Sequence, residues 1–428
     1  MAENTGIVVV GTGQAAFQLA MSLREEGWDA PITLVGDEPG LPYNRPPLSK
    51  AYLKGERGSV DLALRPEAFY AGRQVTLRLG VRALSIDRAA KRVALSDGTV
   101  LGYAHLVLAT GTRNRRLAVP GVGLPGVTSL RTQADASALW DHVRGARRAV
   151  VVGAGFIGLE FAAVASGMGC AVHVVEAGPR AMGRAVTPET AATFVRWHES
   201  QGTRFSFGTG VAEVLGEGSV RAVRCTDGVE LAAELVLVGI GVQANDSLAA
   251  EAGLAVDNGV VVDEQLGTAD PAISAIGDCA AYPSRHAGGA VVRLESVQNA
   301  VDHARSLAAH LAGRSRPYDA VPWFWSDQGP LKLQIAGLTA GSDAHVTLGE
   351  GESCAVVCFR GGRLSGVESV NRPADHMAAR RLLRADAALT PEMVGGPGFS
   401  LREAAAREGK VEAPPQTSPK AAPLERVP

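Results

Sequence analysis

Val150-Val-Val-Gly153-Ala-Gly155-Phe156-Ile157-Gly158-Leu-Glu160 decides the fold. An apolar run of strand length enters a glycine turn and leaves as a helix, the order of a dinucleotide-binding βαβ unit. Gly153 permits the tight turn, Gly155 lets a pyrophosphate come up to the backbone, and Gly158 lets the helix lie close to the strand, while the helix N-terminus favours phosphate charge. A second apolar strand, Ala171–Val175, ends at Glu176, whose carboxylate suits both hydroxyls of an adenosine ribose and repels a 2′-phosphate. NADH is therefore expected over NADPH. Arg180 and Arg184 follow closely, either as pyrophosphate partners or as solvated charges.

Working outward, the same plan opens the chain. Ile7-Val-Val-Val-Gly11-Thr-Gly13-Gln-Ala15-Ala16 runs a strand into GxGxxA and then into a helix with apolar spacing from Phe17 to Leu23. Gly11 makes the turn, Gly13 the phosphate approach, and Ala16 the close helix packing. The next strand, Ile32–Val35, reaches Gly36-Asp37-Glu38; glycine holds the usual acidic position, so the ribose role passes to Asp37. Two such units imply two dinucleotides, most economically FAD in the first and a nicotinamide in the second. The expected fold class is α/β, with two Rossmann-type nucleotide-binding domains.

Composition narrows the rest. A chain of 428 residues is expected to form two or three domains. Its longest apolar runs, such as Ile7–Val10 and Leu235–Val238, are of strand length, so no membrane span is expected. The start, Met1-Ala2-Glu3-Asn4, has no leader pattern, which points to the cytoplasm. Lys and Arg number 42 against 44 Asp and Glu, leaving no positive field for nucleic acid. The five cysteines form no CxxC pair; Cys354 and Cys358, in the strand-like run Ser353–Phe359, read as buried small hydrophobes, and no metal site is expected. Beyond a short helical pattern at Leu401–Arg407, the proline-rich segment 406–428 reads as a disordered tail.

Longer strings carry a family resemblance: Leu41-Pro-Tyr-Asn-Arg45-Pro-Pro-Leu-Ser-Lys50, Leu108-Ala-Thr110-Gly111, Leu130-Arg131-Thr132, Ile276-Gly-Asp278-Cys, Val292-Arg-Leu-Glu295-Ser-Val297-Gln-Asn299 and Trp323-Phe-Trp325-Ser-Asp-Gln328. In this order they resemble the FAD-dependent ferredoxin reductases that serve bacterial haem-thiolate monooxygenases and Rieske dioxygenases. The resemblance implies a glutathione-reductase-like plan: a discontinuous FAD domain over 1–113 and 245–322, an inserted NADH domain over 114–244, and a C-terminal α+β domain over 323–405. It places Ala15, Asp37, Lys50, Ala83, Arg131, Asp278 and Val297 at FAD, with Trp325 closing over the flavin ring. Lys50 pairs with Glu160 beside the reactive flavin edge, the catalytic pair. The cofactor-binding set also takes in Arg45, Thr110, Gly111, Phe156, Ile157, Arg184 and Gly241. The implied partner is a small acidic [2Fe–2S] ferredoxin, and through it a monooxygenase or dioxygenase.

Other readings stand beside these. Trp323 and Phe324 read as core aromatics, Lys50 as a possible surface lysine, and Asp278 as a possible helix cap. Arg372, Arg380, Arg381 and Arg384 either steer a ferredoxin or form a solvated helix face. Gly329-Pro330 departs from the polar pair usual in the family, with an expected effect on the flavin pocket's edge or the docking surface. A flavin disulfide reductase needs a thiol after the first fingerprint, where this chain has Pro47-Leu-Ser49-Lys50 and no cysteine before Cys170. Reduction of a quinone or other diffusible acceptor needs no thiol and stays open, as does a flavin-bound redox sensor.

Overall fold

Two parallel five-stranded sheets, each entered through one of the glycine turns, organise the computed structural model, which describes residues 6–408. The first runs in the order Ile273–Ala275, His105–Leu108, Ile7–Val10, Ile32–Gly36 and Val75–Leu79. Ile7 pairs with Ile32 on one side and His105 on the other. The second runs Arg204–Phe207, Ala171–Glu176, Arg148–Val152, Leu235–Val238 and Val127–Thr128. There Ala149 pairs with Val172 and Leu235. Central strands such as Ile7–Val10 and Leu235–Val238 are buried at every residue, which is why they read as unbroken apolar runs rather than alternating ones.

The second sheet is an insertion into the first unit. Strands Thr112–Asn114 and Val242–Ala244 pair antiparallel and carry the chain out and back. Thr110 Oγ1 donates to Asn245 O at 2.6 Å, and Asn245 Nδ2 donates to Thr110 O at 2.9 Å, fastening the two crossings together. The chain then returns to add Ile273–Ala275 to the first sheet and helix Val297–Leu311 against helix Gln14–Glu25.

The C-terminal part is an antiparallel five-stranded sheet from Trp323–Gln328 to Arg363–Val370, followed by helices Pro373–Arg384, Pro391–Val394 and Leu401–Glu408. Its first strand shows why alternation matters here. Phe324 lies 4.5 Å from Phe156, Ser326 bonds Glu160 and Gln328 bonds His198, so this face meets the second unit. Trp325 and Asp327, on the other face, border a cleft of about 440 Å³ with Lys332, Gln334, Asn371 and Pro373.

One departure gains a local reason and one boundary shifts. At Gly329 (φ +57°) a Cβ would sit 2.1 Å from the Trp197 ring. The Gly329-Pro330 turn therefore packs on helix Pro188–Ser200 of the second unit, and glycine is required because the indole occupies the space. The last helix extends to Glu408, so residues 406–408 belong to it; the rest of the segment read as tail lies outside the described residues. All five cysteines are buried, Cys354 and Cys358 within strand Ser353–Arg360. Among the described residues no helix is long and apolar enough to cross a membrane.

Candidate functional site

Both glycine turns combine one glycine closed to any side chain with one that faces open space. Gly11 (φ +130°) and Gly153 (φ +103°) are closed to any side chain, since a Cβ would lie 2.1 Å from Ala109 O in one and 2.5 Å from Gly239 O in the other. At Gly13 a Cβ would meet nothing within 4 Å, and at Gly155 only Gly239 O at 3.9 Å. These two residues cap helices Gln14–Glu25 and Phe156–Gly167, neither of which has an acidic residue in its first turn. The first-turn amides thus face open space with no side chain to satisfy them, as an anionic pyrophosphate requires. Residues and space fit a dinucleotide at each turn.

The acidic residues after the second strands differ. Glu176 folds back on its own turn, its Oε2 accepting from Ala154 N–H at 2.8 Å and its Oε1 from Gly178 N–H at 2.7 Å. The Arg180 guanidinium is committed to Val186 O at 2.7 Å and Gly183 O at 2.8 Å. Arg184 is instead beside Gly241 (φ +96°), where a Cβ would lie 3.0 Å from its Nη2. In the first unit the Asp37 side chain is 64% exposed, 3.7 Å from Arg82. Its neighbour Glu38 turns inward, pairing with Arg45 and accepting from Tyr43 Oη at 2.6 Å.

From Arg45 a polar string runs on to Arg131 and Asp278. Arg45 Nη1 donates to Arg131 O at 2.8 Å, and Arg131 Nη2 reaches Asp278 Oδ2 at 3.5 Å. Burial pushes the Asp278 carboxyl up and Arg131 pulls it back; burial likewise lowers Arg131 against the support of Asp278. The turn carrying Asp278 is held from below by Gly277 N–H donating to His303 Nδ1 at 3.1 Å. A Cβ on Gly277 would lie 3.0 Å from the Cβ of Ala15, so the first fingerprint and the Asp278 turn touch. Val297 is the first residue of the following helix, capped by Ser296 Oγ.

At the junction of all three parts sits Glu160, 3% exposed, on helix Phe156–Gly167. Lys50 Nζ is 3.0 Å from its Oε1. Ser49 Oγ donates to Oε2 at 2.5 Å and Ser326 Oγ to Oε1 at 2.7 Å. The pairing of Lys50 with Glu160 is thus present, and Lys50 is not a free surface lysine. Moving this carboxylate out of water is costly, and three donors offset that cost. Neither serine was among the expected site residues. Their signal was adjacency: Ser49 precedes Lys50 and Ser326 follows Trp325 in the quoted strings.

Some expected residues are not drawn into this cluster. Ala83 pairs with Leu95 in a separate antiparallel sheet, and Ile157, 44% exposed, points away from the core. The four C-terminal arginines do not form one free basic face. Arg372 is held by Asp375 at 2.5 Å and Leu348 O at 2.8 Å, and Arg380 stacks over Trp323 at 4.9 Å, while Arg381 and Arg384 are exposed.

Comparison with known proteins follows this architecture. Residues 5–304 match the pyridine nucleotide-disulphide oxidoreductase family and residues 323–405 the reductase C-terminal family. Rhodocoxin reductase of Rhodococcus erythropolis is 52% identical over 404 residues, 94% of each chain. The crystal structure of the ferredoxin reductase for the CYP199A2 system from Rhodopseudomonas palustris superposes with a TM-score of 0.91 at 47% identity, covering 94% of this chain and all of that one. The reductase in the covalent putidaredoxin reductase–putidaredoxin complex gives 0.92 at 37% identity, covering 95% and 99%. Identity of this depth along nearly the whole chain settles its kinship: it belongs to the pyridine nucleotide-disulphide oxidoreductase family, in the branch that carries the reductase C-terminal domain.

Proposed function

We propose that this chain is an NADH-dependent FAD flavoprotein that passes single electrons to a small acidic [2Fe–2S] ferredoxin, which in turn serves a haem-thiolate monooxygenase or a Rieske oxygenase. The observation that carries it is the Lys50–Glu160 pair where the three parts of the chain meet, in a structure whose two glycine turns are both open to pyrophosphate. When bound, FAD supplies hydride acceptance and release of electrons one at a time. The chain's own residues do the rest. Gly11, Gly13, Ala15 and Ala16 cradle one dinucleotide and Gly153, Gly155 and Gly158 the other. Asp37, Arg45, Ala83, Thr110, Gly111, Arg131, Asp278, Val297 and Trp325 border FAD; Phe156, Ile157, Glu176, Arg184 and Gly241 border NADH. Lys50, steadied by Glu160, offers positive charge where negative charge develops. The accompanying division is 1–113 with 245–322 for FAD, 114–244 for NADH and 323–405 for the C-terminal domain, supported by the strand pairing at Thr112–Asn114. A cytoplasmic location goes with this reading.

Anaerobic stopped-flow reduction of the yellow protein by NADH and NADPH, followed by oxidised [2Fe–2S] ferredoxin, tests it. NADH should bleach the flavin at least about tenfold more efficiently than NADPH, because a carboxylate at the strand end, Glu176, suits ribose hydroxyls and repels a 2′-phosphate while Arg180 is committed to Val186 O. Transfer to a ferredoxin should follow promptly. Bleaching without transfer would point to a diffusible acceptor, and no bleaching would remove the second dinucleotide site.

A further inference from the structure

Of the three donors on Glu160, only Lys50 is charged, and the two hydroxyls come from opposite ends of the chain. Ser49 ends the short turn Pro46–Ser49 of the first unit, and Ser326 lies on the first strand of the C-terminal sheet. Behind Ser326 the row continues. Gln328, two residues along on the same face, has Nε2 3.3 Å from Ser326 Oγ, and its Oε1 is 2.9 Å from His198 Nε2. Ser326, Gln328 and His198 are all fully buried.

Hydrogen-bond chemistry sets a direction along this row. A carboxylate only accepts, so the Ser326 hydroxyl proton points at Glu160 and its oxygen is left to take the Gln328 N–H. The Gln328 carbonyl then needs a donor, which fixes His198 as the tautomer with its proton on Nε2. Burial holds His198 below its ordinary value, in keeping with a neutral ring. Each hydrogen bond that links the row donates toward Glu160, and the other Gln328 Nε2 proton is left for Met182 Sδ at 3.8 Å. Ser326 alone shows only that a buried carboxylate has found a partner. The ordered row behind it, running from the second unit through the C-terminal sheet, constrains that partner's orientation.

The structure assigns to Ser326, backed by Gln328 and His198, the part of a positioning residue that fixes the Glu160 carboxylate and through it the Lys50 ammonium. The assignment rests on the reading that places Lys50 and Glu160 at the flavin. It makes the C-terminal sheet a component of the hydride-transfer site as well as a neighbour of it.

Full-length flavin-loaded Ser326→Ala, Ser326→Thr, Gln328→Met and Lys50→Met are compared with the parent by stopped-flow NADH reduction, equilibrium flavin potential and thermal melting. Ser326→Ala should lower the limiting reduction rate by about tenfold, the loss of one hydrogen bond to a charged group. NADH affinity should stay within about twofold, as expected when ground-state binding is untouched. The flavin potential should fall, because a loosened ammonium stabilises the reduced form less. Ser326→Thr, which keeps the hydroxyl, should recover most of the rate. Gln328→Met should move rate and potential in the same direction by about threefold in rate, and it carries the test alone if Ser326→Ala does not fold. Parent-like rate and potential in the variants at 326 and 328, with only the melting temperature lowered, would reduce Ser326 to a packing role. If Lys50→Met also left both unchanged, the underlying reading of Lys50 and Glu160 would fall instead.

Discussion

The turn at Gly11 and the turn at Gly153 share a backbone and differ in what fills it. In the second, Glu176 sits at the end of its strand with one carboxylate oxygen on the Ala154 amide of the turn and the other on the Gly178 amide beyond its own strand. In the first, the register Val10 to Val35 against Val152 to Val175 puts Gly36 at that same place. A Cβ there would lie 2.3 Å from Thr12 Oγ1. Thr12 fills the space left to the carboxylate in the other copy, where Ala154 stands in its place. The acid is displaced to Asp37, at the surface, or turned inward as Glu38. Duplicated backbones thus keep the glycines that sterics demand and exchange the side chains that choose a ligand.

The largest effects should separate those two kinds of glycine. Gly11→Ala and Gly153→Ala force a side chain into a carbonyl at positive φ and should each cost more than about 3 kcal/mol in urea unfolding of the apoprotein. Gly13→Ala and Gly155→Ala should leave that stability within about 1 kcal/mol. Each should abolish tight binding of its own dinucleotide alone, read as flavin retention for the first and NADH affinity for the second. Flavin held at parent affinity by Gly13→Ala would break the comparison.

An intermediate effect tests the exchange of Thr12 for a carboxylate. Gly36→Asp should destabilise by about 1–3 kcal/mol through overpacking against Thr12. Adding Thr12→Ala should recover much of that, giving a coupling near 1 kcal/mol in a double-mutant cycle. Additive losses would show that the two positions do not compete for one space.

The smallest effect concerns protons. His105 occupies the sheet position held by Leu235 in the second copy. Burial lowers it to about 4, below the ordinary histidine value of about 6.5. Between those values the unfolded chain binds a proton that the folded chain refuses, so this contribution is full above pH 6.5 and is lost as pH falls toward 4. His105→Leu should shrink the stability difference between pH 7 and pH 5.5 by about 1 kcal/mol. An unchanged difference would place the acid sensitivity elsewhere.

Glycine turns and strand ends were legible because each is written in one short string of fixed spacing, whereas the pairing of Lys50 with Glu160 came only through the family resemblance. Strand Ile32–Gly36 ends one residue beyond the expected Val35, and the run Ser353–Phe359 is the strand Ser353–Arg360. What could not be read depends on segments that meet only after folding. Ser49 and Ser326 are 277 residues apart and matter because both reach one carboxylate on a helix between them. Arg372 looked free in sequence, and its capture by Asp375 and a strand carbonyl depends on how the helix is docked. Composition gives no hint of such tertiary choices.

The out-and-back insertion also orders events at the ribosome. The inserted sheet has all five of its strands once Leu235–Val238 has emerged, whereas the first sheet, begun at Ile7, lacks its edge strand until Ile273–Ala275 appears. The copy that starts second can therefore close first, leaving the four earlier strands of the first sheet to wait with an unpaired edge.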